Sequence, residues 1–193
     1  MTRRLAAPLM LLLVASACVQ LGPGKDTTRF FVLSPEPGAD SVGLVAEGPL
    51  LAVGPVTIPR YLDRSVIVTR VGPNQVDPLG NDRWAEPLAG MIQQTLALDL
   101  AAALGARRYV LYPWPRDQQP DIVVEVDVLR FETDPTRTAR LDALWRLRHG
   151  GEERNGVTAL TEVMADTTTE TKVAALSSLL GRMSEQLAEA AEH

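Results

Sequence analysis

The sequence predicts an α+β domain, with a mixed or antiparallel sheet and two helices packed on one face of it. Three observations carry this expectation. Seven short runs rich in β-branched or alternating residues are bounded by Pro, Gly and Asn, and two longer stretches repeat apolar residues at helical spacing. Their order, β-β-β-α-β-β-β-β-α, lacks the regular strand–helix alternation of a doubly wound parallel sheet. The length of 193 residues suits one domain, or one domain with a tail.

The elements follow in order. Arg29 to Ser34 reads as a first strand, closed by Pro35, Pro37 and Gly38. Leu50 to Ile58 is strand-like, but Pro55 lacks an N–H for a ladder, which predicts an edge, a bulge or a strand end there. The polar edge of this run also makes it a candidate for self-association. Ser65 to Val71 is a third strand, ended by Gly72, Pro73 and Asn74. Pro87 suits the first turn of a helix, with Glu86 at the positive end of its dipole. Leu88, Ile92, Leu96, Leu100 and Leu104 then recur every fourth residue, widened by Met91, Thr95 and Ala103, until Gly105 supplies a left-handed stop. Tyr109 to Tyr112 is a short strand before Pro113 and Pro115.

Asp121 to Phe131 gives the clearest strand, because Ile122, Val124, Val126 and Val128 alternate with Val123, Glu125 and Asp127. Thr138 to Leu147 repeats the pattern, with Leu141, Ala143, Trp145 and Leu147 on one face. Gly150 and Gly151 form a turn, Glu152 to Asn155 reads as a polar return loop, and Val157 to Met164 is the return strand of a hairpin. Asp166 to Thr171 precedes a last helix in which Val173, Leu176, Leu180, Met183 and Leu187 step by three and four residues. That spacing suits a helix lying on a sheet, or a short coiled-coil seam.

Composition narrows the chemistry. A formal charge of -5 argues against a broad footprint for nucleic acid, which needs clustered Lys and Arg. One Cys and two His leave too few ligands for the common zinc sites, so neither metal nor cofactor is expected. His149 lies at a hairpin end and His193 at the end of the sequence, where chains fray, and neither has a nucleophile in its sequence context. Asp82 and Glu86 approach a helix N-terminus, where carboxylates are favoured without any catalytic role. No catalytic constellation emerges, and the expectation is a protein that is not an enzyme.

The N-terminus supplies an address. Arg3 and Arg4 precede an apolar run from Leu5 to Val14 that is too short to span a bilayer as a helix, and Ala15, Ser16, Ala17 and Cys18 follow. Small residues before a lone Cys resemble the bacterial lipobox. The resemblance implies that residues 1–17 are a lipoprotein signal peptide and that Cys18 is lipidated. Residues 18–28 are then a lipidated tether and residues 29–193 a single α+β auxiliary domain. Two or three acyl chains, at about 0.8 kcal/mol per buried methylene, hold such a domain durably on a bilayer. Val19 stands where Asp would mark inner-membrane retention, which implies the outer membrane of a Gram-negative cell, facing the periplasm.

A wider resemblance rests on Val53, Gly54, Pro55 and Val56, on Ile58, Pro59, Tyr61 and Leu62, on Val68, Thr69 and Arg70, and above all on the run Arg83, Trp84, Ala85, Glu86, Pro87, Leu88. With the strand carrying Leu144 to Leu147 and the helix carrying Ala174 to Ser177, the chain resembles the PqiC/YmbA-type auxiliary lipoproteins of ABC-type lipid transport systems. These systems are built on mammalian-cell-entry (MCE) domain proteins. The resemblance implies a subunit that docks the distal end of an MCE tube reaching from an inner-membrane complex and supports membrane integrity. It also implies a homo-oligomeric ring, since MCE proteins assemble with cyclic symmetry. Arg83, Trp84, Glu86 and Pro87 are the candidate motif for partner contact, with a core role for Trp84 as the competing expectation. A structural subunit of an outer-membrane assembly complex and a periplasmic lipoprotein enzyme or small-ligand binder are the alternatives.

Overall fold

The computed structural model describes residues 27–39, 48–106 and 108–192. The signal peptide, the Cys18 lipidation site, most of the tether and His193 lie outside the described residues. In chain order the elements are β1 (Arg29–Phe31), β2 (Leu50–Thr57), β3 (Val66–Gly72), β4 (Gln75–Trp84), α1 (Leu88–Ala103), β5 (Arg108–Leu111), β6 (Ile122–Thr133), β7 (Thr138–His149), β8 (Glu152–Val163) and α2 (Thr169–Glu192).

β6 organises the sheet of eight strands. β7 pairs antiparallel along the whole of one edge. The other edge is shared, by β2 from Ile122 to Asp127 and by β3 at Thr133, both parallel. The sheet therefore forks. β5 extends the β2 branch in parallel, while β4 and then β1 extend the β3 branch. β8 closes the opposite side through an unbroken antiparallel ladder with β7. The sheet is mixed, and both helices pack on one face.

The alternation expected in β6 holds because Val124, Val126 and Val128 are buried on the helix side. A bulge at Leu129 shifts the register between Val128 and Arg130, so the inward position passes to Phe131 and Glu132 turns to the other face. In β7, Leu141, Ala143 and Leu147 face the helices and are buried. α1 packs on β2 and β5 and α2 on β7 and β8, and Leu96 and Leu100 of the first helix and Leu180, Met183 and Leu187 of the second are fully enclosed. The last helix thus lies on the sheet and against its neighbour helix. Of the stripe expected on α1, Leu104 is half-buried and Ala103 exposed, because the helix is already ending there.

Four local expectations are corrected. Gln75–Trp84 is a strand, although Pro78, Gly80 and Asn81 look like turn chemistry. Those residues occupy an irregular stretch where Val66 pairs with Arg83 but Val68 with Pro78, so the strand accommodates them by bulging. Asp82 consequently sits on β4, away from the approach to α1. Glu152–Asn155 begins β8, since the turn is confined to Gly150 and Gly151, whose φ angles of 61° and 85° suit glycine. β5 covers the run on one side from Leu50 to Val53 and β6 on the other from Leu51 to Thr57, so its first half offers no edge for self-association. Pro55 is met by a register shift between Val53 and Val56, one of the outcomes its missing N–H predicts.

Candidate functional site

The run Arg83 to Leu88 joins β4 to α1, and its residues part company there. Trp84 is only 5% exposed and belongs to the hydrophobic core. Its amide donates to the Ser65 carbonyl (2.7 Å), and the Ala85 amide to that of Phe31 (2.9 Å), which fixes the chain at the strand end. Pro87 is the N-cap, with a non-helical ψ of 125°, one position earlier than a first-turn proline. Its carbonyl accepts from the Gly90 and Met91 amides. Arg83 is half-buried and donates to the carbonyls of Gly80 and Asp82, whereas Glu86 and Pro87 are exposed. Trp84 is thereby a packing residue, and a surface for partners is left to Arg83, Glu86 and Pro87.

Next to this run stands an ionic clamp that sequence reasoning did not find. Asp82 receives Arg29 in a bidentate pair, Nε at 2.8 Å and Nη2 at 2.6 Å, and the Thr169 hydroxyl at 2.6 Å. Arg29 also reaches Glu170 (2.7 Å), and its guanidinium lies 5.2 Å from the Phe31 ring centroid. The Arg29 guanidinium, aided by Thr169 and opposed by burial, holds the Asp82 carboxyl below its ordinary range. A depressed carboxylate contributes stability above its unfolded value near 3.8, and that contribution is lost as pH falls through the folded one. The clamp ties β1, β4 and the start of α2 together. Its partners are 53 and 87 residues apart in sequence, beyond the reach of any spacing argument.

A second network lies where the β3 branch joins β6. Glu132 is 4% exposed and forms a two-point ion pair with Arg70, through Nε and, at 3.1 Å, through Nη2. The Tyr61 hydroxyl donates to the same carboxylate (2.9 Å), and the Arg70 guanidinium lies 5.7 Å from the Tyr61 ring centroid. Burial and the neighbouring Glu132 carboxylate push the Tyr61 phenol up. Tyr61 and Arg70 belong to the segments that carried the family resemblance, and the fold gives both the same task of enclosing one carboxylate.

The segment after β1 runs as a strap over the two helices. The Ser34 amide meets the Ser177 hydroxyl (3.2 Å) and the Glu36 amide donates to Asp99 Oδ1 (2.8 Å). Gly181 makes room for it, because a Cβ there would collide with the Glu36 side chain. Asp99 is buried with Oδ2 unpartnered, and burial, with a smaller push from the Glu36 charge, raises its carboxyl to about 6 against the Glu36 amide bond. A raised carboxyl destabilises the folded state when ionised, fully above about 6, and the penalty is relieved as pH falls toward the unfolded value of 3.8. Stability should therefore rise, on the order of 1–2 kcal/mol, as pH is lowered from 7 to 4.5. Denaturant melts across that range check it: Asp99→Asn should flatten the rise, and an unchanged slope would reject the assignment.

His149 sits at the β7 end as expected, its Nδ1 3.0 Å from the Ala191 carbonyl. Among the described residues, no three His, Cys, Asp or Glu side chains are grouped to hold a metal ion, and no helix is long and apolar enough to cross a membrane.

Two helices on one face of a forked mixed sheet define the class of the molecule as an α+β domain of this particular topology. The chain belongs to the family of ABC-type transport auxiliary lipoprotein components, whose model matches residues 31–188. Among solved structures it is similar to a crystal structure of an uncharacterized protein, with 21% identity, a TM-score of 0.68, and coverage of 86% of this chain and 99% of the other. It is also similar to a Xanthomonas campestris protein of the DUF330 family, with 19% identity, a TM-score of 0.56, and 82% and 92% coverage. A PelC dodecamer from Paraburkholderia phytofirmans follows at 17% identity and a TM-score of 0.42, with 74% and 90% coverage. No curated protein matches.

Proposed function

We propose that this lipoprotein is a non-enzymatic, outer-membrane-anchored subunit of an MCE-type lipid transport system, facing the periplasm and docking the distal end of the MCE tube. Family membership across residues 31–188 is the observation that carries the reading, since it makes the chain an auxiliary component of ABC-type transport. The lipobox-like run ending at Cys18 supports the anchor, with only a short stretch of chain between it and the first strand at Arg29. The docking role rests on the resemblance, and the exposed Glu86 and Pro87 beside Arg83 are the contact surface it suggests. Several copies acting together would match a partner that presents several equivalent ends, and repetition raises affinity because later contacts become intramolecular. Among the described residues, the sheet edges open to such contacts are β1, β5 and β8.

The test is affinity capture of the full chain from native membranes. An MCE protein is expected to accompany it, and capture of an outer-membrane β-barrel instead would select the assembly-complex alternative. The same preparation from Cys18→Ser is expected to lose labelled palmitate and to leave the outer membrane. Label retained on the Ser variant would reject Cys18 as the anchor. Light scattering of the chain lacking residues 1–18, with and without the captured partner, measures the ring, which a strict monomer in both would refute.

A further inference from the structure

The sequence contains 17 Arg and two Lys, Lys25 and Lys172. Lys172 is the one of the two within the described residues. Lys172, in the first turns of α2, is 7% exposed, and among the described residues its ammonium makes no hydrogen bond or ion pair. Burial draws its pKa down, with only a partial offset from the charge of Asp82. The aliphatic stem is enclosed while the ammonium keeps contact with solvent, so an anion reaching it would replace water.

What the side chain faces is a cleft of about 590 Å³ lined by Lys172 together with Thr27, Arg29, Asn81, Asp82 and Thr169, among others. Asp82 offsets part of the lysine's charge from nearby but makes no hydrogen bond or ion pair to it, its oxygens being engaged by Arg29 and Thr169. Arg29 is shared between Asp82 and Glu170, so Lys172 is the cation of the lining that no side chain meets directly. The cleft also lies at the N-terminus of a helix of 24 residues. Thr168 caps it, accepting the Thr171 amide on its hydroxyl (3.3 Å) and the Lys172 amide on its carbonyl (3.0 Å). The amides of Thr169 and Glu170 precede the helix's own ladder and add positive potential on the same side. Glu170 opposes an anion least, since its carboxylate is held by Arg29.

We propose that this cleft is a binding site for a phosphate group, with Lys172 as its central ligand and the start of α2 as its second arm. A compact ammonium with three rotatable donors suits a tetrahedral anion, and a helix N-terminus adds backbone donors to it. Two sources offer this chemistry, free phosphate and the headgroup of a phospholipid. Thr27 also lines the cleft and is nine residues beyond Cys18, so the lipid anchor proposed above would bring a membrane headgroup within reach. The site rests on the cleft alone and stands or falls separately from the docking role proposed above.

The experiment is lysine-selective NMR on the full chain, carrying 13C-labelled lysine and purified in a sugar-based detergent that contains no phosphate. Only two side-chain signals are expected, and Lys25 serves as the internal reference. At constant ionic strength, inorganic phosphate should move the titration midpoint of Lys172 upward by about one pH unit, the size of shift an adjacent opposite charge produces, and leave Lys25 in place. Dihexanoyl phosphatidylglycerol below its micelle concentration is the second arm. Saturation at tenfold lower concentration than inorganic phosphate assigns the site to a lipid headgroup, and saturation at equal or higher concentration assigns it to free phosphate. In a second, uniformly 15N-labelled sample, Lys172→Met should keep the melting temperature and abolish the phosphate-induced shifts of the Thr169 and Glu170 amides seen in the parent. A Lys172 midpoint that ignores both ligands, or amide shifts that persist unchanged in Lys172→Met, would overturn the proposal.

Discussion

Arg70→Met is expected to destabilise the domain by about 3–5 kcal/mol, because it strands the Glu132 carboxylate in the interior with only the Tyr61 hydroxyl for company. For a domain of this size that corresponds to a fall of roughly 6–20 °C in Tm. The expected result distinguishes a buried pair from a surface one. Exposed ion pairs contribute at most about 1 kcal/mol, whereas here one partner is almost wholly enclosed. The double variant Arg70→Met with Glu132→Leu should recover most of the loss, since removing both charges also removes the cost of burying them. Thermal melts of the two single variants and the double variant form the cycle. If Arg70→Met melts within a degree or two of the parent, the network contributes no more than a surface pair and the argument fails.

Trp84→Ala is expected to be nearly as severe, at about 3–5 kcal/mol. The indole sits in the core, within a run whose backbone is pinned to Ser65 on one side and Phe31 on the other. Little can collapse into the vacated volume, because the β4 end, the connector before β3 and the first turn of α1 converge there. Chemical denaturation measures the loss, and partner capture by the same variant separates the two roles assigned to the run. Unchanged stability with loss of the partner would return Trp84 to the docking surface. The result expected is the reverse for Glu86 and Pro87, whose exposure makes them cheap to alter.

The parts of this fold legible in the sequence are those where one periodicity prevails over several turns or strand repeats. The Leu88, Ile92, Leu96, Leu100 stripe, the alternation from Ile122 to Val128 and the stepping from Val173 to Leu187 each point a continuous face at one core, so the pattern and the structure coincide. β4 escaped because its local chemistry contradicts its tertiary role: Pro78 and Gly80 disfavour a strand on their own, and only pairing with β3 and β1 makes one. The placement of Leu50–Thr57 escaped for a related reason, since Pro55 marks an irregularity and says nothing of which strands flank it. The polar networks had no signal in periodicity or spacing. Asp82, Arg29 and Thr169, or Glu132, Arg70 and Tyr61, carry no shared spacing; they meet because the sheet forks and brings distant segments onto neighbouring strands. A signal did exist for the second set, because Tyr61 and Arg70 lay within the resemblance. Lys172 had a signal too, as a charged residue one position before the apolar Val173 in a chain that otherwise prefers arginine.

The clamp on Arg29 has a mechanical consequence. The polypeptide enters the described domain at its N-terminal side through β1, which has only three residues and one neighbour. On the anchoring proposed above, a pull from Cys18 would reach that strand through Thr27, whose hydroxyl accepts from the Asn81 side-chain amide (3.0 Å). Three backbone pairings would peel under modest load. The guanidinium distributes the load beyond them: it grips Asp82 at two points and Glu170 at a third, and Thr169 locks the same aspartate to the base of α2. Force arriving at Arg29 is thereby divided between a strand in the sheet and the longest helix on its face, so that the small first strand acts as a strain relief for the whole body.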